Sequence, residues 1–370
     1  MRVLIAGGGT GGHVYPALSV VEALLAEPRF GTGVDDVAWV GSVDSVEERI
    51  VTREKIAFYT ISAGALRGAG PIQAVRSTAQ LGRGIVESRR IISQLRPDVV
   101  LATGGYISVP PVLAARSQRV PSLIYLPDME PGLAVRMLSK VSQRIAVSFD
   151  SVTTYFDARK VFVSGYPVRR ALHQTDRDAA RESLGLSGDA PVVLIFGGSR
   201  GARSINEAVR GSLRELLNLA RVIHVSGYED HDRLSAARDE LSADERARYH
   251  LYAYLHEQMT DAFVAADLVV ARSGAATLGE FPAAGVPAVL VPYPYAGQHQ
   301  RVNAEFMAQR GAAIVLDDAD LMQRLLPALR DLLGDRERLA AMRDASRAMA
   351  VPQAAENIAQ ALQDLARGTS

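Results

Sequence analysis

The sequence predicts a doubly wound α/β fold that occurs twice along the chain. The chain has 370 residues, of which 48% are apolar. It is therefore longer than the roughly 250–300 residues at which one hydrophobic core stops growing. Short β-branched runs alternate with longer amphipathic stretches, which is the pattern of parallel sheets covered by helices on both faces. A glycine-rich turn follows the first strand of each half, which indicates that the two halves share one plan.

Two series of strands carry this prediction. The first comprises 2–6, 37–40, 99–102, 122–126, 144–147 and 160–163, and the second comprises 192–196, 221–225, 251–254, 268–271, 288–291 and 313–316. Helical periodicity fills most of the gaps, for example over 14–26, 72–95 and 202–217. Because Gly165 and Pro167 interrupt the pattern, we assign 1–164 to an N-terminal domain and 165–350 to a C-terminal domain. We expect a last helix within 351–370 to pack back toward the N-terminal domain.

Composition excludes several classes of function. The absence of cysteine excludes disulfides, a thiolate nucleophile and Cys-based metal sites. The 41 basic residues balance 41 acidic ones, which argues against a dedicated nucleic-acid binder. All but three of the basic residues are arginine, the lysines being Lys55, Lys140 and Lys160. We expect no membrane span, because no run of about 20 apolar residues occurs, and no secretory signal, because the N-terminal apolar run is short.

The glycine turns predict anion sites at the ends of strands. Gly7, Gly9 and Gly12 fit G-x-G-x-x-G, and a helix that begins at such a turn favours phosphate through its N–H groups and dipole. No acidic residue follows the second strand where a dinucleotide fold needs one, and no glycine precedes a lysine as in a P-loop. The turn from Thr103 to Tyr106 ends another strand, and it is either a third such site or a tight strand-to-helix turn.

Two candidate chemical groups remain open from the residues alone. His13 follows the first glycine turn and is either a neutral general base or a locally bonded helix-start residue. Asp318 and Asp320 match the D-x-D pattern of metal-dependent sugar transferases. We interpret them as caps of the following helix.

The segment 271–303 is the densest in candidate ligands. Ser273 and Gly274 follow a strand and precede a helix, and Glu280 lies in that helix among apolar neighbours. We expect its carboxylate to accept hydrogen bonds from a ribose diol, the alternative being a solvated helix face. A set of three polar residues shares one helical face and suits sugar hydroxyls, although an ordinary exposed helix would look the same. These residues are His299, Gln300 and Asn303.

Several motifs, in order, resemble glycosyltransferase family 28, the MurG-type enzymes of two-domain GT-B architecture. They lie at 8–17, 66–70, 104–108, 165–169, 197–202 and 272–303. The resemblance implies an inverting transfer of N-acetylglucosamine from UDP-N-acetylglucosamine to a lipid-linked muramyl-pentapeptide, with no metal and no cofactor. It also implies a cleft between two Rossmann-like domains and a peripheral position at the cytoplasmic face of the membrane.

The resemblance assigns roles to individual residues. His13 is the candidate base, and Tyr106 and Asp128 belong to the acceptor side. The donor side comprises Thr10, Gly11, Gly12, Arg169, Gly198, Ser199, Asn206, Leu255, Arg272, Ser273, Glu280, His299, Gln300 and Asn303.

One loop departs from the family pattern. The family usually reads His-Glu-Gln-Asn where this chain has Tyr125-Leu126-Pro127-Asp128. Asp128 would orient His13, replace it as the base, or cap the helix after Pro131. Because this loop is on the acceptor side, a UDP-sugar transferase with another acceptor stays open as an alternative. A UDP-sugar epimerase of similar fold and a sugar-nucleotide binding protein are the other two alternatives.

A lipid acceptor also implies contact with an anionic membrane surface. The helix predicted over 72–95 alternates arginines with large aliphatic residues, as helices that lie on anionic lipid do. These residues are Arg76, Arg83, Arg89 and Arg90 among Ile85, Val86, Ile91, Ile92 and Leu95. The alternative is a surface helix that packs its apolar face on the sheet.

Overall fold

The computed structural model describes residues 1–8, 11–62, 71–186, 188–198, 201–295 and 299–368, with the backbone alone at Val46 and over 71–77. Contacts divide the chain into two compact units. The first contains Met1–Arg169 and Val351–Ser370, and the second contains Arg170–Ala350. The division thus falls slightly after the position that Gly165 and Pro167 suggest.

The first unit contains a seven-stranded sheet in which all pairs are parallel. Its strands are β1 (Val3–Gly7), β2 (Val37–Gly41), β3 (Ala57–Thr60), β4 (Val99–Gly104), β5 (Ser122–Leu126), β6 (Arg144–Val147) and β7 (Val161–Val163), in the spatial order β3-β2-β1-β4-β5-β6-β7. Its helices are α1 (Gly11–Ala26), α2 (Val46–Arg53), α3 (Pro71–Leu95), α4 (Val109–Ser117) and α5 (Leu133–Leu138). The C-terminal helix α17 (Ala354–Arg367) also belongs to this unit.

The second unit contains a six-stranded sheet, again parallel throughout. Its strands are β8 (Val192–Phe196), β9 (Arg221–Val225), β10 (Tyr249–Tyr252), β11 (Leu268–Ala271), β12 (Ala288–Leu290) and β13 (Ala313–Val315), in the order β10-β9-β8-β11-β12-β13. Its helices are α6 (Ala171–Gln174), α7 (Arg177–Ser183), α8 (Arg203–Gly211), α9 (Leu213–Leu219), α10 (His231–Asp239), α11 (Ala243–Arg246), α12 (Gln258–Ala265), α13 (Thr277–Ala284), α14 (His299–Gln309), α15 (Leu321–Gly334) and α16 (Arg336–Arg347).

The prediction of two doubly wound parallel sheets is confirmed, with three corrections. Strand β3 was missed because it lies at the sheet edge and half of its residues are exposed, so it lacks a continuous apolar run. Strand β10 begins two residues earlier than predicted. The single helix predicted over 202–217 is two helices, because the backbone at Ser212 leaves the helical region with φ −127° and ψ 23°.

The apolar strands form the cores because helices cover both faces of each sheet. In the first unit, Ile358 and Leu362 of α17 are fully buried against residues of α1 and β1. Side-chain amides fix this helix to the same unit, since Gln363 Nε2 donates to the carbonyl of Arg29 (2.8 Å) and Asn357 Nδ2 to that of Ser164 (3.1 Å). The last helix thus completes the core around the first glycine turn.

Each sheet has one point at which the strand order reverses. In the first sheet, β1 lies between β2 and β4, and in the second, β8 lies between β9 and β11. Open α/β sheets bind ligands in the crevice at the carboxyl ends of such strands. The glycine turns after β1, β4, β8 and β11 all lie at these two places.

Candidate active site

His13 lies in the first turn of α1 and is held by the strand next to β1. Its Nδ1 is 2.7 Å from the carbonyl oxygen of Thr103, at the end of β4. A carbonyl oxygen only accepts hydrogen bonds, so Nδ1 carries the proton that it donates. In the neutral ring Nε2 then carries the lone pair. The hydroxyl of Thr103 donates in return to the carbonyl oxygen of His13 (2.8 Å). This reciprocal pair fixes both the tautomer and the orientation of the imidazole.

The two glycines after Thr103 allow this close approach. Gly104 has φ +107°, and a Cβ there would lie 2.8 Å from Cε1 of His13. Gly105 has φ +78°, and its Cβ would lie 2.7 Å from the carbonyl oxygen of Gly8. Only glycine tolerates both the positive φ and the contact. The turn is therefore more than a tight connection, because it brings the β4 loop against the glycine turn after β1.

Tyr106 and Asp128, which are predicted to lie on the acceptor side, follow the ends of β4 and β5. Tyr106 begins a short 3₁₀-helix at the end of β4 and is partly exposed. Asp128 is partly exposed and follows β5. Burial holds the pKa of the Tyr125 hydroxyl well above its ordinary value, the hydrogen bond with Ser148 opposes this, and the Asp128 carboxylate adds to it. The charge of Asp128 therefore acts within the β5 end of the first sheet.

The structure narrows the roles that were open for Asp128. Helix α5 has Gly132 at its N-cap and no side-chain cap, so the alternative in which Asp128 caps this helix is wrong. The proton on Nδ1 of His13 is donated to a backbone carbonyl, so the tautomer is set by Thr103 rather than by a carboxylate.

In the second unit, the turn between β8 and α8 is built from glycines that the backbone needs. A Cβ on Gly197 would lie 2.1 Å from the backbone nitrogen of Ala202, and one on Gly201, at φ +76°, would lie 2.4 Å from the carbonyl oxygen of Ser226. Gly198 has φ +90°, is exposed and has open space around it. Among the described residues of the turn, the backbone of Gly198 is thus open to a ligand. Ser199, like Thr10 of the first turn, lies outside the described residues, as does the motif at 66–70.

Asn206 is a buried residue next to this turn, and its side-chain amide forms several hydrogen bonds. It is 2% exposed, and its Nδ2 donates to the carbonyl of Ser226 (2.9 Å) and to Asp230 (2.9 Å). Its Oδ1 accepts from Nε2 of His224 (3.0 Å), whose Nδ1 in turn accepts from the hydroxyl of Tyr249 (2.9 Å). The amide nitrogen and the amide oxygen of Asn206 are thus both bonded to groups of the protein itself. The prediction that Asn206 binds the donor directly is therefore replaced by a positioning role.

This network predicts a specific dependence of stability on pH. Burial lowers the pKa of His224 to about 3, and the nearby His231 adds to the effect. The unfolded chain has the ordinary pKa near 6.5, so between about pH 6.5 and pH 3 only the unfolded state binds this proton. Stability therefore falls as pH falls through this window, by up to about 1.4 kcal/mol per pH unit from His224 alone.

The variant His224→Gln tests this dependence, since glutamine can both donate to Asn206 and accept from Tyr249 without titrating. We expect the variant to be less stable than the original protein at pH 7. On moving to pH 5 the variant should gain about 2 kcal/mol relative to the original. Urea unfolding followed by circular dichroism at both pH values measures this difference. Parallel losses in the two proteins would show that His224 is not the titrating group.

Arg272, at the end of β11, is held in an ion-paired network. Its Nη1 pairs with Asp318 and its Nη2 donates to Ser204 Oγ (2.8 Å), which itself donates to Asp318 (2.7 Å). The guanidinium carbon also lies 5.4 Å from the ring centroid of Tyr293. Neither Asp318 nor Asp320 caps a helix by its side chain. The capping prediction is thus wrong, and Asp318 orients Arg272 beside the N-terminus of α8 instead.

The three residues predicted to share one polar helix face differ in their burial. They are His299, Gln300 and Asn303. Asn303 is 1% exposed, and its Nδ2 donates to the carbonyl of Ser273 (3.2 Å). The Ser273 hydroxyl donates to the carbonyl of Gln300 (2.7 Å), so it too is used internally. Gln300 and His299 are partly exposed, and Gln300 Oε1 accepts from the backbone N–H of Tyr293 (2.9 Å). Asn303 and Ser273 therefore join α14 to β11, while Gln300 and His299 remain at the surface.

The other predicted donor residues lie at the same ends of the strands. Glu280 is in the first turn of α13 and is partly exposed. Leu255 follows β10 and is 5% exposed, so only its backbone suits a ligand contact. Arg169 belongs to the first unit, where its guanidinium carbon lies 5.1 Å from the ring centroid of Tyr15 in α1. Gly11 and Gly12 begin α1.

Both halves of the chain match the sequence patterns of one known protein family. The sequence pattern of the glycosyltransferase family 28 N-terminal domain matches residues 3–147, and that of the C-terminal domain matches 192–358. The chain is 41% identical to UDP-N-acetylglucosamine--N-acetylmuramyl-(pentapeptide) pyrophosphoryl-undecaprenol N-acetylglucosamine transferase of Roseiflexus sp. (strain RS-1), over 99% of this chain and 95% of that protein. The chain belongs to glycosyltransferase family 28.

Solved structures agree with membership of family 28. The crystal structure of Acinetobacter baumannii MurG is 28% identical, with a TM-score of 0.74, over 98% of this chain and 99% of that one. The UDP-GlcNAc 2-epimerase of Neisseria meningitidis has a TM-score of 0.68 over 98% of this chain and 99% of that one, but it is only 15% identical. The second match shows a shared fold and no more. The predicted resemblance to family 28 and the GT-B fold class are confirmed.

Sequence reasoning missed several residues that orient the candidate site residues. The sequence indicates Thr103 only as the start of a glycine turn, and it predicts a cap at Asp318. Ser204 and His224 were given no role at the site. Each of them acts through a contact with a residue far away in sequence, so the only available signal was that strands of the same half end at the same edge.

Proposed function

We propose that this protein transfers N-acetylglucosamine from UDP-N-acetylglucosamine to a lipid-linked N-acetylmuramyl-pentapeptide, with inversion at the anomeric carbon and without a metal ion. The observation that carries the proposal is the similarity of both halves, over 99% of the chain, to a transferase named for this reaction. Under this proposal the first unit takes the acceptor and the second takes the donor.

His13 supplies the base in this scheme. The acceptor hydroxyl oxygen attacks C1 of the donor sugar, its proton passes to Nε2 of His13, and the bond from C1 to the phosphate oxygen breaks. UDP leaves with that electron pair. The hydrogen bond from Nδ1 to Thr103 supports this role, because it leaves the lone pair of the neutral ring on Nε2 and stabilises the imidazolium that forms.

The second unit stabilises the leaving diphosphate. The backbone of Gly198 and the N-terminus of α8 offer N–H groups, with Ser199 beside them in sequence, and Arg272 supplies a positive charge that Asp318 holds in place. Helix ends and charged donors stabilise developing negative charge without a cation. Glu280 takes the ribose diol, the backbone of Leu255 takes uracil, and Gln300 with His299 reads the sugar.

Other predicted residues complete the two sites. Arg169, Tyr106 and the N-terminal turn of α1, with Thr10, Gly11 and Gly12, bind the diphosphate groups of the substrates. Asp128 lies on the acceptor side and is the alternative candidate for the base. Asn206, Ser273 and Asn303 position these loops rather than touching the donor.

We place the protein at the cytoplasmic face of the membrane, since its proposed acceptor is lipid-linked. No helix among the described residues is long and apolar enough to cross a bilayer. Helix α3 buries Ile92 and Ser88 but exposes Arg83, Arg89 and Val86. Ile92 thus packs on the protein, Arg83 pairs with Glu87 (2.7 Å), and the exposed Arg89 remains available to an anionic surface. Arg76 lies where only the backbone is described.

A transfer assay with the purified protein tests the proposal. Labelled UDP-N-acetylglucosamine and a soluble analogue of the lipid-linked acceptor should give a glycosylated product and one UDP per transfer, with the same rate in EDTA. A β-linkage in the product, determined by NMR, would establish inversion. Loss of turnover in EDTA, restored by added divalent metal, would contradict the metal-free mechanism.

The altered loop at Tyr125–Asp128 favours one second candidate, a transferase that uses another acceptor. In that case the protein would bind UDP but give no product with the muramyl-pentapeptide analogue. Conversion of free UDP-N-acetylglucosamine into another UDP-sugar without any acceptor would instead indicate an epimerase. UDP binding with neither reaction would leave a binding protein.

A further inference from the structure

A cavity lined by cationic residues lies in the first unit, beside helix α5. Its volume is about 610 Å³. Helix α5, the chain after it and the segment Tyr155–Lys160 line it, and Ile145 of β6 contributes an apolar wall. None of the roles assigned above uses these residues.

The lining carries more positive than negative charge. Arg136, Lys140 and Lys160 line the cavity together with one carboxylate, that of Asp157. Asp157 accepts from the backbone and the guanidinium of Arg159, which lowers its pKa to about 2. The ion-pair partner of Asp157 is Arg159, which does not line the cavity, and the positive charge of Lys160 also helps to lower the pKa of Asp157. The lining of the cavity therefore carries an excess of positive charge, with three cations and one carboxylate.

Local contacts hold Lys160 and Arg136 at the wall of the cavity. Nζ of Lys160 lies 3.4 Å and 3.3 Å from the carbonyl oxygens of Ser139 and Lys140, beyond the end of α5. An ammonium group has three donors, so this arrangement leaves one for a ligand. Nε of Arg136 donates to the carbonyl of Pro131 (2.9 Å), and its guanidinium carbon lies 5.7 Å from the ring centroid of Tyr155. Its terminal nitrogens are left to bind an anion.

The use of lysine here is unusual for this chain. Only three of its 41 basic residues are lysine, and two of them line this one cavity. A lysine ammonium is a compact point charge that binds a single phosphate group, whereas arginine favours planar bidentate contacts.

We propose that this cavity binds the phosphate group of a small phosphate-bearing molecule, with Lys140, Lys160 and Arg136 as its ligands. Charge-assisted hydrogen bonds from these three residues hold the phosphate, and the exposed aromatic ring of Tyr155 contacts the organic part. A soluble phosphate ester and a phospholipid headgroup share this chemistry, so the experiment distinguishes them.

The scarcity of lysine makes the site directly observable. Reductive ¹³C-methylation keeps the charge of each lysine and gives resonances for Lys55, Lys140, Lys160 and the N-terminus alone. Titration with glycerol phosphate at constant ionic strength should move the Lys140 and Lys160 signals in a saturable way and leave Lys55 unmoved. If phosphatidylglycerol vesicles, but neither glycerol phosphate nor phosphatidylcholine vesicles, move the same two signals, the ligand is a lipid headgroup.

Variants give matched controls. Lys160→Gln should weaken the response of the Lys140 signal about tenfold or more, and Lys55→Gln should leave it unchanged. Equal shifts of all three lysines, or no saturable shift with either probe, would overturn the proposal. The readout is binding at the lysines, so the result stands apart from the transfer assay, in which Lys160→Gln should keep normal turnover with a soluble acceptor.

Discussion

Replacing His13 with asparagine is expected to lower kcat by about 10²–10⁴-fold, which is the usual contribution of a general base. The amide N–H of asparagine can replace Nδ1–H as a donor to the carbonyl of Thr103, so the turn keeps its main contact. The basic nitrogen Nε2 is lost. Since the second unit is proposed to hold the donor, the Kd for UDP should stay within about twofold, a difference of less than 1 kcal/mol.

Steady-state kinetics with a soluble acceptor, together with calorimetric titration of UDP, separate the two effects. The matched comparison is Asp128→Asn, which removes the only other candidate base that the sequence offers on this side. A variant of His13 with full kcat, beside an inactive variant of Asp128, would transfer the role to the carboxylate. A large loss in both variants would mean that the two groups share the proton transfer.

The sequence predicts the sheets well because a strand covered on both faces must be apolar along its whole length. Every strand of that kind was predicted. The edge strand β3, in which two of the four residues are exposed, was not. The glycine turns were also found, since a backbone that must reach positive φ leaves few choices other than glycine. Both signals come from residues that are neighbours in the sequence, so they can be recognised from a single sequence.

The site was predicted less well because its side chains pair across long separations. His13 and Thr103 are 90 residues apart, and Arg272 and Asp318 are 46 apart. A polar residue type shows that hydrogen bonds will be made, but it does not show with what. Asn206 and Asn303 therefore looked like ligands of a sugar nucleotide, yet each is buried and bonded to a backbone carbonyl. Burial of the polar group distinguishes the two cases, and it becomes known only from the fold.

Gly104→Ala is expected to reduce activity through His13 without touching any substrate. The added Cβ would lie 2.8 Å from Cε1 and 2.9 Å from Nδ1 of the imidazole, and the backbone has φ +107°. The ring must move or the turn must open, and a displacement of about 1 Å at a reacting group can cost up to about 10²-fold in rate. Backbone strain should also cost about 1–3 kcal/mol of stability.

Two comparisons separate the catalytic effect from the loss of stability. Gly31→Ala also forces alanine to a positive φ (+57°), but its Cβ meets nothing within 4 Å, so this variant should lose stability and keep its kcat. In the double variant with His13→Asn, the substitution at Gly104 should add little further loss, because groups that act as one unit are not additive. If the losses multiplied instead, Gly104 would act independently of the imidazole, and the contact between the β4 turn and His13 would have no part in catalysis.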